Sequence, residues 1–407
     1  MYSNKREISQ KSVNNTTMNL QRKEMLDAVI KKNGLGALIF WRPDELVLAI
    51  EYQPLWGLSF LIYTNDDKPV LFVPELEPED ILPKNITIKR FPWGNISCND
   101  PWEVLFSMVK EILVEKKLNQ LPVSFIRSIG GSAPCMMSAE QPPLPGNLID
   151  SLSSVTGAGY KDATRDLLKL YSYKTQTDIQ HLKLTHKVTA MAVKTFYKNL
   201  KPGITESELA GLIEYEVQRM TRLDGINFSK AWPLVQSGIN AIDGGKYNRS
   251  TGKKLQDAEM VMLEMAVCVN GYWADITRTG QTGEVNAQKK KIFDTVLAAQ
   301  QKAIAMMKPG VKMADVDMIA RKQIEDAGYK KFFNHALGHH VGFRYHDIGP
   351  TLSPASTGVI EEGMLLTVEP GIYGEEINCG VRIEDNVLIT KNGHEILSDY
   401  GRLLTMQ

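Results

Sequence analysis

"VMLEMAVCVNGYWADITRT", residues 261–279, reads as two β-rich arms joined at Asn270-Gly271, a dipeptide that favours the two-residue turn of a hairpin. Such a turn fixes the register. With Val269 opposite Tyr272, Cys268 faces Trp273, Ala266 faces Asp275 and Glu264 faces Thr277. Side chains alternate with period two, so Glu264, Ala266, Cys268, Trp273, Asp275 and Thr277 share one face of the ribbon. Met265, Val267, Val269, Tyr272, Ala274 and Ile276 share the other. Glu264 and Asp275 are then diagonal neighbours, roughly 7 Å apart between backbones. Two buried, unpaired acids cost on the order of several kcal/mol each, so either a metal ion or basic side chains must compensate them. On the hairpin alone, a salt-bridged edge strand and a metal site are equally open.

Further along, "GMLLTVEPGIY" (363–373) places Glu369 at the end of an apolar strand, and "CGVRIEDNVLIT" (379–390) places Glu384 inside another. Before them, "HALGHHVGFRYHD" (335–347) holds His335, His339, His340 and His346, four of the chain's 7 histidines. His339 added to the four carboxylates makes an oxygen-rich set suited to two divalent ions of the Mn, Co, Fe or Zn group. Four ligands from one short stretch are not expected. His335 and His346 are read as serving substrate or bracing the ligands, and His340 as packed.

These carboxylates fall in two similar halves. "KPGITESELAGLIEYEVQRM" (201–220) and "KPGVKMADVDMIARKQIEDAGY" (308–329) both run K-P-G, aliphatic residue, polar spacer, amphipathic helix, with strands expected at 259–279 and 363–390. A pseudo-twofold α+β domain follows, its helices backing a curved antiparallel sheet. Ahead of it, a helix from Leu20 to about Lys32 leads into "LGALIFWRPDELVLAIEYQPLWGLSFLIYTNDDKPVLFVPELE" (35–77), which reads as short β-rich runs separated by turns such as Asn65-Asp66-Asp67. Its aromatic residues Trp41, Tyr52 and Trp56 are expected to pack in the core. Further helices are expected within 101–117, 159–171 and 174–200. Proline, glycine and serine accumulate between 128 and 159, and the junction is placed near 170. The expected domains are 1–170 and 171–407, the first a smaller α/β domain.

A length of 407 residues with 43% hydrophobic and 23% charged residues excludes a disordered chain and leaves room for two domains. Forty-seven basic residues balance 47 acidic ones, so no field favours nucleic acid or an anionic membrane. The polar amino terminus and the absence of a long apolar window make a cytoplasmic protein the simplest expectation. Cys98, Cys135, Cys268 and Cys379 form no CxxC pair and read as reduced, structural thiols.

The order Glu264, Asp275 in "GYWADITRT", His339 in "GHHVGFRYHD", Glu369 in "TVEPGIY" and Glu384 in "GVRIED" resembles the pita-bread metallopeptidases of family M24. That family includes Xaa-Pro aminopeptidase, prolidase and methionine aminopeptidase. The resemblance covers residues 171–407, and the preceding part is similar to the creatinase/prolidase N-terminal domain, which points to the two-domain branch. It implies two divalent ions, manganese favoured, with Asp275 and Glu384 binding or bridging both, His339 and Glu369 on one, and Glu264 as the remaining ligand. It also implies that His335 and His346 contact substrate and stabilise the tetrahedral intermediate, and that Glu369 shuttles a proton to the leaving nitrogen. Arg382 and Thr277 stand beside the carboxylates to orient them. The implied substrate is a small Xaa-Pro peptide, and the implied assembly a homodimer.

Two departures stand out. The family has Asp where this chain has Glu264, one methylene longer. Its peptidases carry a histidine soon after S-G-x-N, whereas "SGINAIDGGKYNRS" (237–250) places Gly245, Lys246 or Tyr247 there, with Tyr247 able to donate in its stead. These departures keep two further readings open: a hydrolase of a small non-peptide amide, similar to creatinase and ectoine hydrolase, and a non-catalytic binding module on the same fold.

Overall fold

A computed structural model describes residues 19–405 apart from 57–58, 66–67, 94–95, 128–149, 152, 157, 224 and 243–248. The described residues form two compact units, one drawn from 19–127, 150–164 and 220–228, the other from 165–219 and 229–405.

The first unit opens with the helix Leu20–Asn33, capped by the Asn19 side chain. Its sheet comprises β1 (Ala37–Phe40), β2 (Phe60–Tyr63), β3 (Val70–Pro74), β4 (Thr87–Phe91) and β5 (Val123–Ser124), in the order β4-β3-β2-β1-β5. β1, β2 and β3 pair antiparallel, while β4 and β5 add in parallel at the two edges. All residues of β1, β2 and β3 are buried, which is why they read as unbroken apolar runs. The helix Pro101–Glu115, started by Pro101 and the Asp100 cap, packs Leu105, Val109, Ile112 and Leu113 into the same core. One β-rich run is instead helical: Pro43–Ile50. Residues 44–50 are buried on every side, so no periodicity distinguished helix from strand. The Glu45 carboxylate fixes the start by accepting from the backbone N–H groups of Trp41 and Arg42 at 3.0 and 3.1 Å. Trp41 and Tyr52 are buried, but Trp56 is 50% exposed, contrary to its expected packing. Asp66 and Asp67 lie outside the described residues.

The second unit shows the internal repeat in its backbone. Gly203 and Gly310, the glycines of the two K-P-G turns, adopt φ of 92° and 90°, a region open to glycine at no steric cost. Each donates its N–H at 2.9 Å to an equivalent carbonyl, Leu255 and Ile360 respectively. Each turn then makes one isolated antiparallel bridge, Thr205 with Lys254 and Lys312 with Val359. In the first half, the helices Gln176–Asn199 and Glu206–Gln218 start on capping boxes, Thr175 with Asp178 and Thr205 with Glu208. They accompany the antiparallel sheet β6 (Ser229–Ser237), β7 (Met260–Val269) and β8 (Tyr272–Gln281). In the second half, the helices Ala287–Met306 and Met313–Asp326 accompany β9 (Gly338–His340), β10 (Asp347–Leu352), β11 (Leu365–Val368), β14 (Asp385–Thr390) and β15 (Gly393–Ile396), ordered β10-β9-β11-β14-β15. A ribbon of β12 (Gly371–Gly374) and β13 (Cys379–Arg382) completes it. Ile292, Val296 and Ala303 meet Val316, Ala320 and Ile324 and the strand residues Leu366, Val368 and Val387 in one core. The helix Ala287–Met306 and the strands β6, β9 and β10 were not singled out in the sequence. Cys98, Cys268 and Cys379 are free, and among the described residues no helix is long and apolar enough to cross a membrane.

Candidate active site

The β7–β8 hairpin has the expected register, Val269 with Tyr272 through Glu264 with Thr277. Asn270 and Gly271 both take positive φ, 50° and 86°, as a two-residue hairpin turn of matching twist requires. Glu264 and Asp275 therefore share one face, and Asp275 is held further by Asn386 of β14. The Asn386 side chain accepts from the Asp275 N–H at 3.1 Å and donates to its carbonyl at 2.6 Å. Glu384, between β13 and β14, reaches the same place because its N–H donates to the Thr277 carbonyl at 3.1 Å. Glu369 directly follows β11, where its N–H donates to the Leu337 carbonyl at 2.8 Å.

His339 is aimed by β9. Its N–H donates to Thr367 Oγ1 at 3.0 Å, and its Nδ1 lies 2.8 Å from the His340 carbonyl, to which it can only donate. That bond makes Nε2 the unprotonated nitrogen of the neutral ring. Nε2 stands 3.3 Å from Asp275 Oδ2 and 3.5 Å from Glu369 Oε1. Three acceptors around one point are completed by a cation. The close approach of β9 to β11 depends on Gly338, where a Cβ would lie 2.0 Å from the Thr367 carbonyl oxygen. Gly338→Ala is expected to lower Tm by about 5 °C and to weaken metal retention, since His339 moves with the strand. Thermal melting and metal analysis of the purified variant check both.

Three overlapping groups gather the side chains: Asp275, His339 and His346; His339, Glu369 and Glu384; and Glu264, Asp275 and Glu384. Within each, the potential ligand atoms lie within 4.8 Å of one another. Asp275 Oδ1 and Glu384 Oε1 are buried with no hydrogen-bond partner among the described residues. Burial, then repulsion from Glu264 and Glu369, pushes the Asp275 carboxyl well above the usual range. Glu384 is raised in the same way by burial and by Asp275, Glu369 and Glu264. Orphaned oxygens on mutually repelling acids fit a divalent cation and no internal partner.

Glu264 differs. Burial opposes its charge, but Arg382 and the hydroxyls of Thr277 and Tyr345 outweigh burial and hold the carboxyl down at about 2. Arg382 Nη2 sits 2.6 Å from Glu264 Oε2, and the Tyr345 hydroxyl donates to Oε1. Thr277 Oγ1 contacts Glu264 and, at 2.8 Å, Glu384, while accepting from Arg382 Nε at 2.8 Å. Arg382 Nη1 also donates to the Tyr373 hydroxyl at 3.0 Å, which lies 3.1 Å from His335 Nε2. His335 thus reaches the cluster through Tyr373 and Arg382 and belongs to none of the three groups; burial lowers its pKa. His346 does join a group, its ring 4.5 Å from that of His339. His340 is buried on the other face of β9, neither ring nitrogen has a partner among the described residues, and burial pushes its pKa down to about 3. Gly245, Lys246 and Tyr247 lie outside the described residues.

Tyr373, Tyr345 and Asn386 escaped the sequence reading. Tyr373 was accessible to it, since pairing of Gly371 with Arg382 puts Tyr373 on the face of Arg382 two residues along. Tyr345 and Asn386 carried no such signal.

The model of "Metallopeptidase family M24" matches residues 180–391. The Bacillus subtilis protein YkvY, named as a candidate dipeptidase, is 33% identical over 386 residues, 94% of this chain and 99% of its own. The crystal structure of the prolidase from Pyrococcus horikoshii OT3 superposes with a TM-score of 0.74 at 26% identity, covering 94% of this chain and 99% of that one. An Xaa-Pro dipeptidase from Bacillus anthracis shares the fold, with a TM-score of 0.77 at 22% identity over 95% of this chain and 99% of that one. The fold is the two-domain pita-bread arrangement of α+β type. The chain belongs to metallopeptidase family M24 and is a metal-dependent peptidase.

Proposed function

We propose that the chain hydrolyses Xaa-Pro bonds of small peptides, as an aminopeptidase or dipeptidase, using two divalent cations, manganese foremost. Glu264, Asp275, His339, Glu369 and Glu384 are assigned as their ligands. The observation that carries this reading is the overlap at Glu384, which groups with His339 and Glu369 on one side and with Glu264 and Asp275 on the other. Charge supports a pair. Four carboxylates against the Arg382 guanidinium leave a cluster that one divalent cation keeps anionic and two make positive, as an electrophilic site for a carbonyl demands. The prolidase and Xaa-Pro dipeptidase similarities favour the substrate.

Bound there, the cations supply Lewis acidity and lower the pKa of a water toward neutrality. Glu369, only half-buried, accepts a proton and delivers it to the proline nitrogen, which cannot leave as an anion. His346, beside His339, is assigned as a donor to the scissile carbonyl and its oxyanion, whereas His335, whose Nδ1 donates to the Ala336 carbonyl at 2.8 Å and whose Nε2 accepts from the Tyr373 hydroxyl at 3.1 Å, is assigned to substrate contact. Thr277 and Arg382 keep the carboxylates oriented. Tyr247 is assigned a substrate-donor role. Residues 1–170 serve as the creatinase/prolidase-like N-terminal domain and 171–407 as the catalytic domain of a cytoplasmic homodimer.

Metal analysis, together with Mn-dependent release of the first residue from Xaa-Pro peptides, tests this, with His339→Ala as the control. Two metals per chain and cleavage lost in the variant are expected. Metal-loaded protein that leaves every such peptide intact rules out the substrate. A chain that takes up no divalent ion rules out the cation pair.

A further inference from the structure

β6 extends the hairpin to three strands, and its register carries a second feature onto the face of the acids. Trp232 pairs with Ala266, which pairs with Asp275. Paired residues of antiparallel strands point to the same side, so Trp232 stands in the row of Asp275. Trp273 stands one row along, opposite Cys268 and two residues from Asp275, about 7 Å along the strand. The central strand offers only the small side chains of Ala266 and Cys268 in these rows. The two indoles stack across them, 5.2 Å between ring centroids and 18° between planes.

Accessibility on this face is concentrated at the same place. Every residue of β7 is buried, and every residue of β8 except Trp273. On β6, Lys230, Trp232 and Leu234 are accessible, whereas Ser229, Ala231, Pro233 and Val235 on the other side are buried. Partly exposed aromatic surface beside a cluster of acids is surface that a ligand can cover.

We infer that the Trp232–Trp273 pair is the wall that selects the first residue of the substrate, favouring a bulky apolar or aromatic side chain over glycine. The inference rests on the exopeptidase reading above. The amino end of such a substrate adjoins the scissile bond and therefore lies at the cation site, of whose assigned ligands Asp275 stands nearest the wall in register. The side chain on the same carbon as that amino group is then the one the indoles reach, and the proline ring lies across the scissile bond from it.

Two measurements on the metal-loaded full chain test the wall. In steady-state kinetics with Phe-Pro, Leu-Pro and Gly-Pro, Trp273→Ala and Trp232→Ala are expected to lower kcat/KM for the bulky substrates about 10- to 100-fold, through KM, while Gly-Pro changes less than about threefold. Metal content stays at the wild-type value, and Trp273→Phe retains most of the preference, which separates lost contact from misfolding. Independently of cleavage, free leucine is expected to change the tryptophan fluorescence at a concentration at least about tenfold below that needed for glycine, a difference lost in Trp273→Ala. Cleavage of all three peptides with equal efficiency, or a preference that follows the second residue, overturns the wall and leaves the peptidase standing. Selective leucine binding without any Xaa-Pro cleavage supports the wall and overturns the peptide reading. Equal binding of leucine and glycine overturns the wall whatever is cleaved.

Discussion

Asp275→Asn is expected to strip the protein of bound metal, to lower kcat/KM on the order of 10³-fold, and to raise the melting temperature of the metal-free chain. The first two effects follow from position, because Asp275 belongs to two of the three ligand groups and its Oδ1 has no protein partner. Loss of cation chemistry worth about 4 kcal/mol corresponds to about three powers of ten in rate. The third effect has the opposite sign. Without cations burial and the neighbouring Glu264 and Glu369 disfavour the charged form of Asp275, so a neutral isostere removes a penalty of about 1–3 kcal/mol and lifts Tm by roughly 5 °C. Scanning fluorimetry of both proteins in excess chelator reads this directly. A stripped variant less stable than stripped wild type would show that Asp275 is stabilised by the protein itself, and the cluster would lose its claim to be a cation site.

How far the sequence reached depends on the range of each interaction. The hairpin was legible because Asn270-Gly271 sets a register from two residues, and the pairing then propagates by alternation to Glu264 and Asp275. The repeat was legible because each K-P-G turn demands a left-handed glycine, a local requirement that both halves meet. The convergence of the two halves was not written in any one segment. It depends on Asn386 clasping the Asp275 backbone and on Glu384 donating to the Thr277 carbonyl, contacts that span more than 100 positions of chain. Tyr345 illustrates the limit: it lies in the histidine-rich stretch, but nothing in the spacing shows that its hydroxyl ends on Glu264, 81 positions away. Sequence set Glu264 apart only by its extra methylene, and gave no sign that Glu264 has donors on both oxygens while Asp275 and Glu384 each keep an orphan.

That difference leads to the second large effect, at Arg382. Arg382→Met is expected to destabilise the metal-free protein by about 3–5 kcal/mol, or about 10 °C in Tm, because Glu264 is left buried and charged without its counter-ion. Arg382→Lys should recover little of this. One guanidinium contacts Glu264, Thr277 and Tyr373 from three different nitrogens, and a single ammonium cannot reproduce that fork. The double variant Glu264→Gln, Arg382→Met removes both charges and is expected to regain most of the stability, so that the coupling between the two sites measures the pair. Metal affinity should not fall with the single substitution: withdrawing a positive charge from among four acids, and releasing Glu264 Oε2, favours a divalent cation. Activity should fall about 10- to 100-fold all the same, since Tyr373 and through it His335 lose the donor that fixes them. Chemical denaturation in chelator, metal titration and kcat/KM together decide it. If Arg382→Met melts with wild type and loses its metal, Arg382 braces the cation ligands and is not the counter-ion of Glu264. If it melts early and keeps its metal, Glu264 is divided between the guanidinium and the cation, and lengthening the usual aspartate by one methylene is what brings it within reach of both.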